Sequence, residues 1–213
     1  MSTALDAITT TRIVAVIRLE RYDRAIDIAH ALQTGGISVM EFTLTGSGAL
    51  SAIADVREAL GETVCVGVGS VVTPAAAIDA IAAGAQFVVT PVLRPAVIEM
   101  CQTHAVPVLC GGLTPSELFT AHELGADMVK LFPARLGGPA YLRDLLGPLP
   151  QLRVVPTGGV SAENARAYLN AGAAALGIGG NLVPARAVAQ QDWAQITGAA
   201  QAIVAQVAAT TPD

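Results

Sequence analysis

The chain has 213 residues, a net charge of −5 and a pI near 5.1, with its eleven arginines scattered along it. That distribution argues against a nucleic-acid-binding surface, and no apolar run is both long enough and free enough of Gly, Pro and charge to span a bilayer. Hydrophobic residues make up 53% and aromatics only 4%, a balance rich in Ala, Val, Ile and Gly that suits parallel strands buried on both faces and covered by helices.

In chain order, Met1 to Arg12 mixes Asp6, Thr9, Thr10 and Thr11 with small apolar residues, lacks the apolar core of a secretory signal, and is expected to form a short amino-terminal helix. Ile13 to Ile17 reads as a first strand ending at Arg18. Tyr22 to Thr34 then repeats Ala25, Ile28, Ala29 and Leu32 at helical spacing before Gly35-Gly36. Ser38 to Phe42 and Ala49 to Leu60 form the second strand and helix. Val64 to Val68 leads into a helix opened by Thr73-Pro74, an N-cap followed by proline in the first turn. Phe87 to Thr90 and Pro95 to Thr103 form the fourth unit, and Pro107 to Cys110 the fifth strand. Its helix opens on Thr114-Pro115-Ser116-Glu117, a capping box. The sixth strand holds Lys130; Pro139 to Leu146 is its helix. Val154 to Thr157, a helix from Ser161 to Gly172, Ala174 to Ile178 and a last helix from Trp193 to Ala208 complete the series.

Three helices close on the same refrain before the next strand: Ala83-Gly84-Ala85, Leu124-Gly125-Ala126 and Ala171-Gly172-Ala173. Glycine there is the expected C-cap, and eight such units predict an α/β fold, one single-domain (β/α)8 TIM barrel over residues 1–213. The chain is close to the roughly 200-residue lower bound of that fold.

Barrel chemistry sits at the carboxyl ends of strands, and the polar residues fall there. Lys130, the only lysine of the chain, lies in the apolar run Asp127 to Ala134. Burial opposes the ammonium form, so such a lysine is either paired or shifted towards the neutral amine, a nucleophile for carbonyl carbon. With period two along a strand, Val39, Glu41 and Thr43 share one face and Met128, Lys130 and Phe132 another. If both faces point inward, a carboxylate and an amine meet in a water-poor interior. Thr157-Gly158-Gly159 and Gly179-Gly180-Asn181 follow strands seven and eight, the usual phosphate site of this fold. Cys65, Cys101 and Cys110 lack metal-ligand spacing and read as reduced cysteines of a cytoplasmic protein; His30, His104 and His122 are assigned no role.

Together, Val39-Met40-Glu41-Phe42-Thr43-Leu44, Gly67-Val68-Gly69-Ser70-Val71, Thr90-Pro91, Val129-Lys130-Leu131-Phe132-Pro133-Ala134, Pro156-Thr157-Gly158-Gly159-Val160 and Gly177-Ile178-Gly179-Gly180 resemble one family. It is that of 2-keto-3-deoxy-6-phosphogluconate aldolase, 4-hydroxy-2-oxoglutarate aldolase and 2-keto-3-deoxy-6-phosphogalactonate aldolase, and the resemblance covers nearly the whole chain. It implies a metal-independent class I aldolase, a carbon–carbon lyase without cofactor. Lys130 would form the Schiff base with a 2-keto acid and Glu41 would shuttle protons. The resemblance further implies that Ser70 binds the keto-acid carboxylate, that Thr43, Pro91 and Phe132 line the pocket, and that Thr157, Gly158, Gly159, Gly179, Gly180 and Asn181 cradle a phosphate. It also implies a homotrimer acting on small keto acids in the Entner–Doudoroff type of carbohydrate breakdown, with pyruvate and an aldehyde as products.

Two departures bear on the substrate. The phosphogluconate branch has a carboxylate-binding arginine where this chain has Thr45, which leaves Arg18, placed as in the phosphogalactonate branch, as the candidate. The serine after the last Gly-Gly is replaced by Asn181, an amide that still donates hydrogen bonds. A non-phosphorylated substrate such as 4-hydroxy-2-oxoglutarate therefore competes. Arg94 and Arg135 are read as solvated loop arginines. The other classes in play are an isomerase- or thiamin-phosphate-synthase-like phosphosugar barrel and a non-catalytic barrel whose Lys130 and Glu41 are only a buried ion pair.

Overall fold

The structure, a computed structural model describing residues 4–209, begins with α1 (Ala4–Thr11), the short leading helix that was expected. There follow β1 (Ile13–Ile17), α2 (Ala25–Thr34), β2 (Val39–Thr43), α3 (Ala49–Leu60), β3 (Cys65–Gly69), α4 (Pro74–Ala82), β4 (Val88–Val89) and α5 (Pro95–Thr103). The second half comprises β5 (Val108–Gly112), α6 (Pro115–Glu123), β6 (Met128–Leu131), α7 (Gly138–Leu146), β7 (Val154–Pro156), α8 (Ala162–Asn170), β8 (Leu176–Ile178), α9 (Ala185–Ala189) and α10 (Trp193–Ala208).

The strands pair in parallel in the order β7-β6-β5-β4-β3-β2-β1-β8, and a parallel bridge from Thr157, just past β7, to Gly177 of β8 brings the two ends of the sheet together. This is the (β/α)8 TIM barrel that the alternation of elements predicts. The helix starts follow their sequence signals. Thr73 Oγ1 accepts from Ala76 N–H, and Thr114 and Glu117 complete their capping box. The refrain glycines Gly84, Gly125 and Gly172 all have φ between 88° and 98°, the left-handed turn that ends a helix without penalty only for glycine.

Strand ends shift by a residue or two from the sequence expectation, because pairing with a neighbour outweighs local propensity. Gly69 and Gly112 are poor strand formers, yet each is drawn into the ladder opposite Thr43 and Leu131 respectively. The five-residue α9 is too short to show a helical period in sequence and was not anticipated.

Apolar packing is divided into two shells by the strand alternation. Met40, Phe42, Val66, Val68, Val129 and Leu131 face outward under the helices. Val14, Val39, Phe87, Leu109 and Met128 face inward, and Ile8 of α1 packs with them. The inner shell is thus apolar where α1 packs, and the polar inward positions come further along each strand.

Candidate active site

Glu41 and Lys130 occupy inward positions of β2 and β6, one step beyond the apolar residues Val39 and Met128. Lys130 is 4% exposed and Glu41 1%, and Lys130 Nζ donates to Glu41 Oε1 over 3.4 Å. The expected meeting of amine and carboxylate inside the barrel is therefore present. Their partners in register are small: Gly67 stands opposite Glu41 and Gly111 opposite Lys130. Gly69 is closer still, because a Cβ there would lie 2.7 Å from Glu41 Oε1. Gly69 thus leaves room for the Glu41 carboxylate, whereas Gly67 and Gly111 leave room for the Phe87 ring and the Thr90–Pro91 backbone. Among the described residues, no buried side-chain nitrogen or oxygen lacks a hydrogen-bond partner.

The ends of the surrounding strands are pinned. Tyr22, which the sequence reading did not single out, donates from its buried hydroxyl to the Ile17 and Thr43 carbonyls over 3.1 and 2.8 Å. The same hydroxyl lies 3.0 Å from Thr43 Oγ1, which also meets Thr45 Oγ1 at 2.8 Å. The Tyr22 hydroxyl thereby ties the end of β1 to that of β2, with Thr43 as its β2 partner. Thr90 Oγ1 accepts from Gly111 N–H and donates to the Val92 carbonyl, which fixes Pro91 against Gly111. Ser70 directly follows β3 in a left-handed conformation, with φ 62°.

Phe132 links this interior to the open end, its ring centroid 5.6 Å from Lys130 Nζ. It also lines a cavity of about 370 Å³ with Arg18, Thr157, Gly158, Gly159, Gly179, Gly180 and Asn181. Eight of the residues singled out from the sequence are brought together here. Lys130, Glu41, Thr43, Ser70 and Pro91 do not line this cavity and belong to the barrel interior and its rim. Arg135, which by sequence reads as a solvated loop residue, lines the cavity as well. The available signal was its position, two residues past Pro133 on the same loop as Phe132. Asn181 Nδ2 donates to the Val160 carbonyl over 3.1 Å, so one of its amide hydrogens is already engaged.

No group of three or more His, Cys, Asp or Glu among the described residues is placed to hold a metal ion. Burial pushes the thiol of Cys65 up to about 11 and that of Cys101 to about 12. Likewise, no helix of the described residues is long and apolar enough to cross a membrane.

Comparison with known proteins supplies a lineage for this arrangement. The family model described as KDPG and KHG aldolase matches residues 5–199. The chain is 40% identical over 203 residues to the 2-dehydro-3-deoxy-phosphogluconate aldolase of Treponema pallidum, covering 94% of this chain and 96% of that one. It is 36% identical over 205 residues to the KHG/KDPG aldolase of Escherichia coli, covering 95% of each. Among solved structures, the KDPG aldolase of Legionella pneumophila, with pyruvate captured as a covalent carbinolamine, superposes with a TM-score of 0.87 at 30% identity, covering 94% of this chain and 98% of that one. A barrel carrying these residues and matched over this span belongs to the KDPG and KHG aldolase family of carbon–carbon lyases.

Proposed function

We propose that this aldolase reversibly cleaves a 2-keto-3-deoxy-6-phospho sugar acid to pyruvate and glyceraldehyde 3-phosphate, with Lys130 as the imine-forming nucleophile and Glu41 as the proton carrier. The observation that carries the reading is the sole lysine of the chain, buried at an inward strand position and 3.4 Å from a buried carboxylate.

The chemistry follows from that pair. An ammonium that hands its proton to Glu41 becomes the free amine, which adds to the C2 carbonyl; Glu41 returns that proton to the carbinolamine hydroxyl, which leaves as water, so that a protonated imine and a carboxylate remain. The imine nitrogen accepts the electron pair of the C3–C4 bond as it breaks, and Glu41 takes the proton of the C4 hydroxyl, directly or through water. The aldehyde departs, the enamine is protonated at C3, and water releases pyruvate and regenerates Lys130. Positioned proton transfer of this kind contributes about 10²- to 10⁴-fold. Burial of both side chains strengthens the electrostatics of each step.

Arg18, Ser70, Thr43, Pro91 and Phe132 are assigned to holding the keto acid, with Arg18 on its carboxylate. The backbone amides of Thr157 to Gly159 and of Gly179 to Asn181 are assigned to the phosphate. The engagement of Asn181 with Val160 favours a second reading, in which the substrate is the non-phosphorylated 4-hydroxy-2-oxoglutarate and the aldehyde is glyoxylate. The same proposal takes the enzyme as a cytoplasmic homotrimer, supported by three free buried cysteines, which suit a reducing compartment, and by the exposed Leu136, Val92 and Val72.

The test is incubation with pyruvate and borohydride followed by peptide mass spectrometry. A reduced pyruvyl adduct on the Lys130 peptide, absent from a folded Lys130→Ala variant, is the expected result. An unmodified Lys130 would overturn the reading.

A further inference from the structure

We propose that Arg135 is a specificity-determining residue that recognises the anionic far end of the substrate, a phosphate monoester. The inference deepens, and rests on, the assignment of a phosphorylated sugar acid as substrate.

Four observations converge on it. Arg135 and Arg18 line one cavity that contains no carboxylate side chain, in a protein whose net charge is −5. Neither guanidinium has a carboxylate partner among the described residues, where the ion pairs are Arg21–Asp23, Arg24–Asp27, Arg57–Glu62 and Lys130–Glu41. A cationic pocket without an internal counter-ion is built for an anion from outside.

The base of Arg135 is also held firmly. Its N–H donates to the Gly158 carbonyl over 2.9 Å, and the preceding residue's N–H donates to the Thr157 carbonyl over 2.8 Å. The buried Tyr168 hydroxyl donates to the Ala134 carbonyl over 3.2 Å. Gly159, at φ 90°, admits Arg135 so closely that a Cβ there would lie 2.5 Å from Arg135 Cβ. Asn164 in turn donates to the Gly159 carbonyl over 2.8 Å. The loop after β6 is thus stitched to the glycine turn after β7, which fixes the backbone from which the exposed Arg135 side chain starts, on the lining of the cavity assigned to phosphate. Preorganisation of this kind reduces the entropy lost when an anion is clamped.

Asn181 gives the chemical reason. Its amide already donates to Val160, so it offers at most one further donor and no charge. A dianion needs more, and a planar guanidinium supplies a charge and paired donors in the geometry that phosphate oxygens accept.

The test compares kcat/KM for a 2-keto-3-deoxy-6-phospho sugar acid with that for the same acid bearing a neutral C6 hydroxyl, in the wild type, Arg135→Ala and Arg135→Lys. The expected result is a wild-type preference for the phosphorylated acid that falls about ten- to hundredfold in Arg135→Ala, mainly through KM, with partial recovery in Arg135→Lys. Inhibition by inorganic phosphate should weaken in parallel. An unchanged preference in Arg135→Ala, whether both substrates suffer equally or neither does, would overturn the proposal, as would a wild type with no preference. Pyruvate labelling of Lys130 in the wild type is read separately. Its absence sinks the imine mechanism, whereas labelling combined with an unchanged preference sinks only the role of Arg135.

Discussion

Glu41 and Lys130 lie 89 residues apart in the chain and 3.4 Å apart in the barrel, both almost fully buried. Each is the other's charge partner in a region walled by glycine and apolar side chains. Removing one partner strands a buried charge, while removing both leaves none. We expect Lys130→Met and Glu41→Leu each to destabilise the protein by about 3–5 kcal/mol, and the double variant to lose much less than the sum. Urea unfolding of the three variants measures the coupling. Additive losses would mean that the ion pair is not what holds either side chain in place.

Gly69 sets the room available to Glu41. A methyl group at this position would stand 2.7 Å from Glu41 Oε1 and 3.2 Å from Thr43 Cγ2, and something must move. Gly69→Ala should displace the carboxylate, lowering kcat by about 100-fold and stability by about 1–3 kcal/mol. Gly198→Ala is the contrast. Gly198 is exposed on α10 with open space for 4 Å around the place a Cβ would take, so the change should stabilise the protein by about 0.5–1 kcal/mol without touching kcat. Steady-state kinetics and thermal unfolding on both variants separate the two effects.

The capping box of α6 makes stability depend on pH at the acid end. Glu117 Oε2 accepts from Thr114 N–H, the Thr114 hydroxyl and Leu113 N–H, at 2.8, 2.8 and 3.1 Å. Those donors, the Thr114 backbone first, hold its carboxyl below the usual carboxylate range. A folded-state value below the unfolded one means that the stabilisation is full at neutral pH and fades as pH falls through the depressed folded value. Glu117→Ala should therefore cost about 1 kcal/mol at pH 7, and the gap from wild type should close on acidification below about pH 4. A gap that stays constant down to pH 3 would contradict this account.

Cys65, Cys101 and Cys110 are free and buried. Burial raises the thiols of Cys65 and Cys101 to about 11 and about 12, so neither forms thiolate at pH 8. Ellman's reagent should find no reactive thiol at these two positions in the native protein, and three per chain once guanidinium has unfolded it. Rapid labelling of the native state would show that β3 or α5 opens locally.

The sequence by itself determined the elements and their alternation, because hydrophobic period, helix caps and refrain glycines are short-range signals. Ile13 to Ile17, the Thr114 capping box and the Gly84, Gly125 and Gly172 caps are all legible within a window of a few residues. Period two along β2 and β6 also put Glu41 on one face with Val39 and Thr43, and Lys130 on one face with Met128 and Phe132, but only the closed barrel turns both faces inward. What only the tertiary structure decided are relations between segments far apart in the chain. Strand ends such as Gly69 and Gly112 follow their neighbours' ladders and not their own propensity. Thr43 acquires its role from Tyr22, which reaches across from the β1–α2 connection. Arg135 looks like loop charge until its bond to Gly158, its close approach to Gly159 and the bonds of Ala134 to Thr157 and Tyr168 set its backbone beside the cavity. The physical reason is one of range. Local propensity acts over a few residues, whereas barrel closure and loop anchoring depend on hydrogen bonds and close packing that form only once all eight strands are in place.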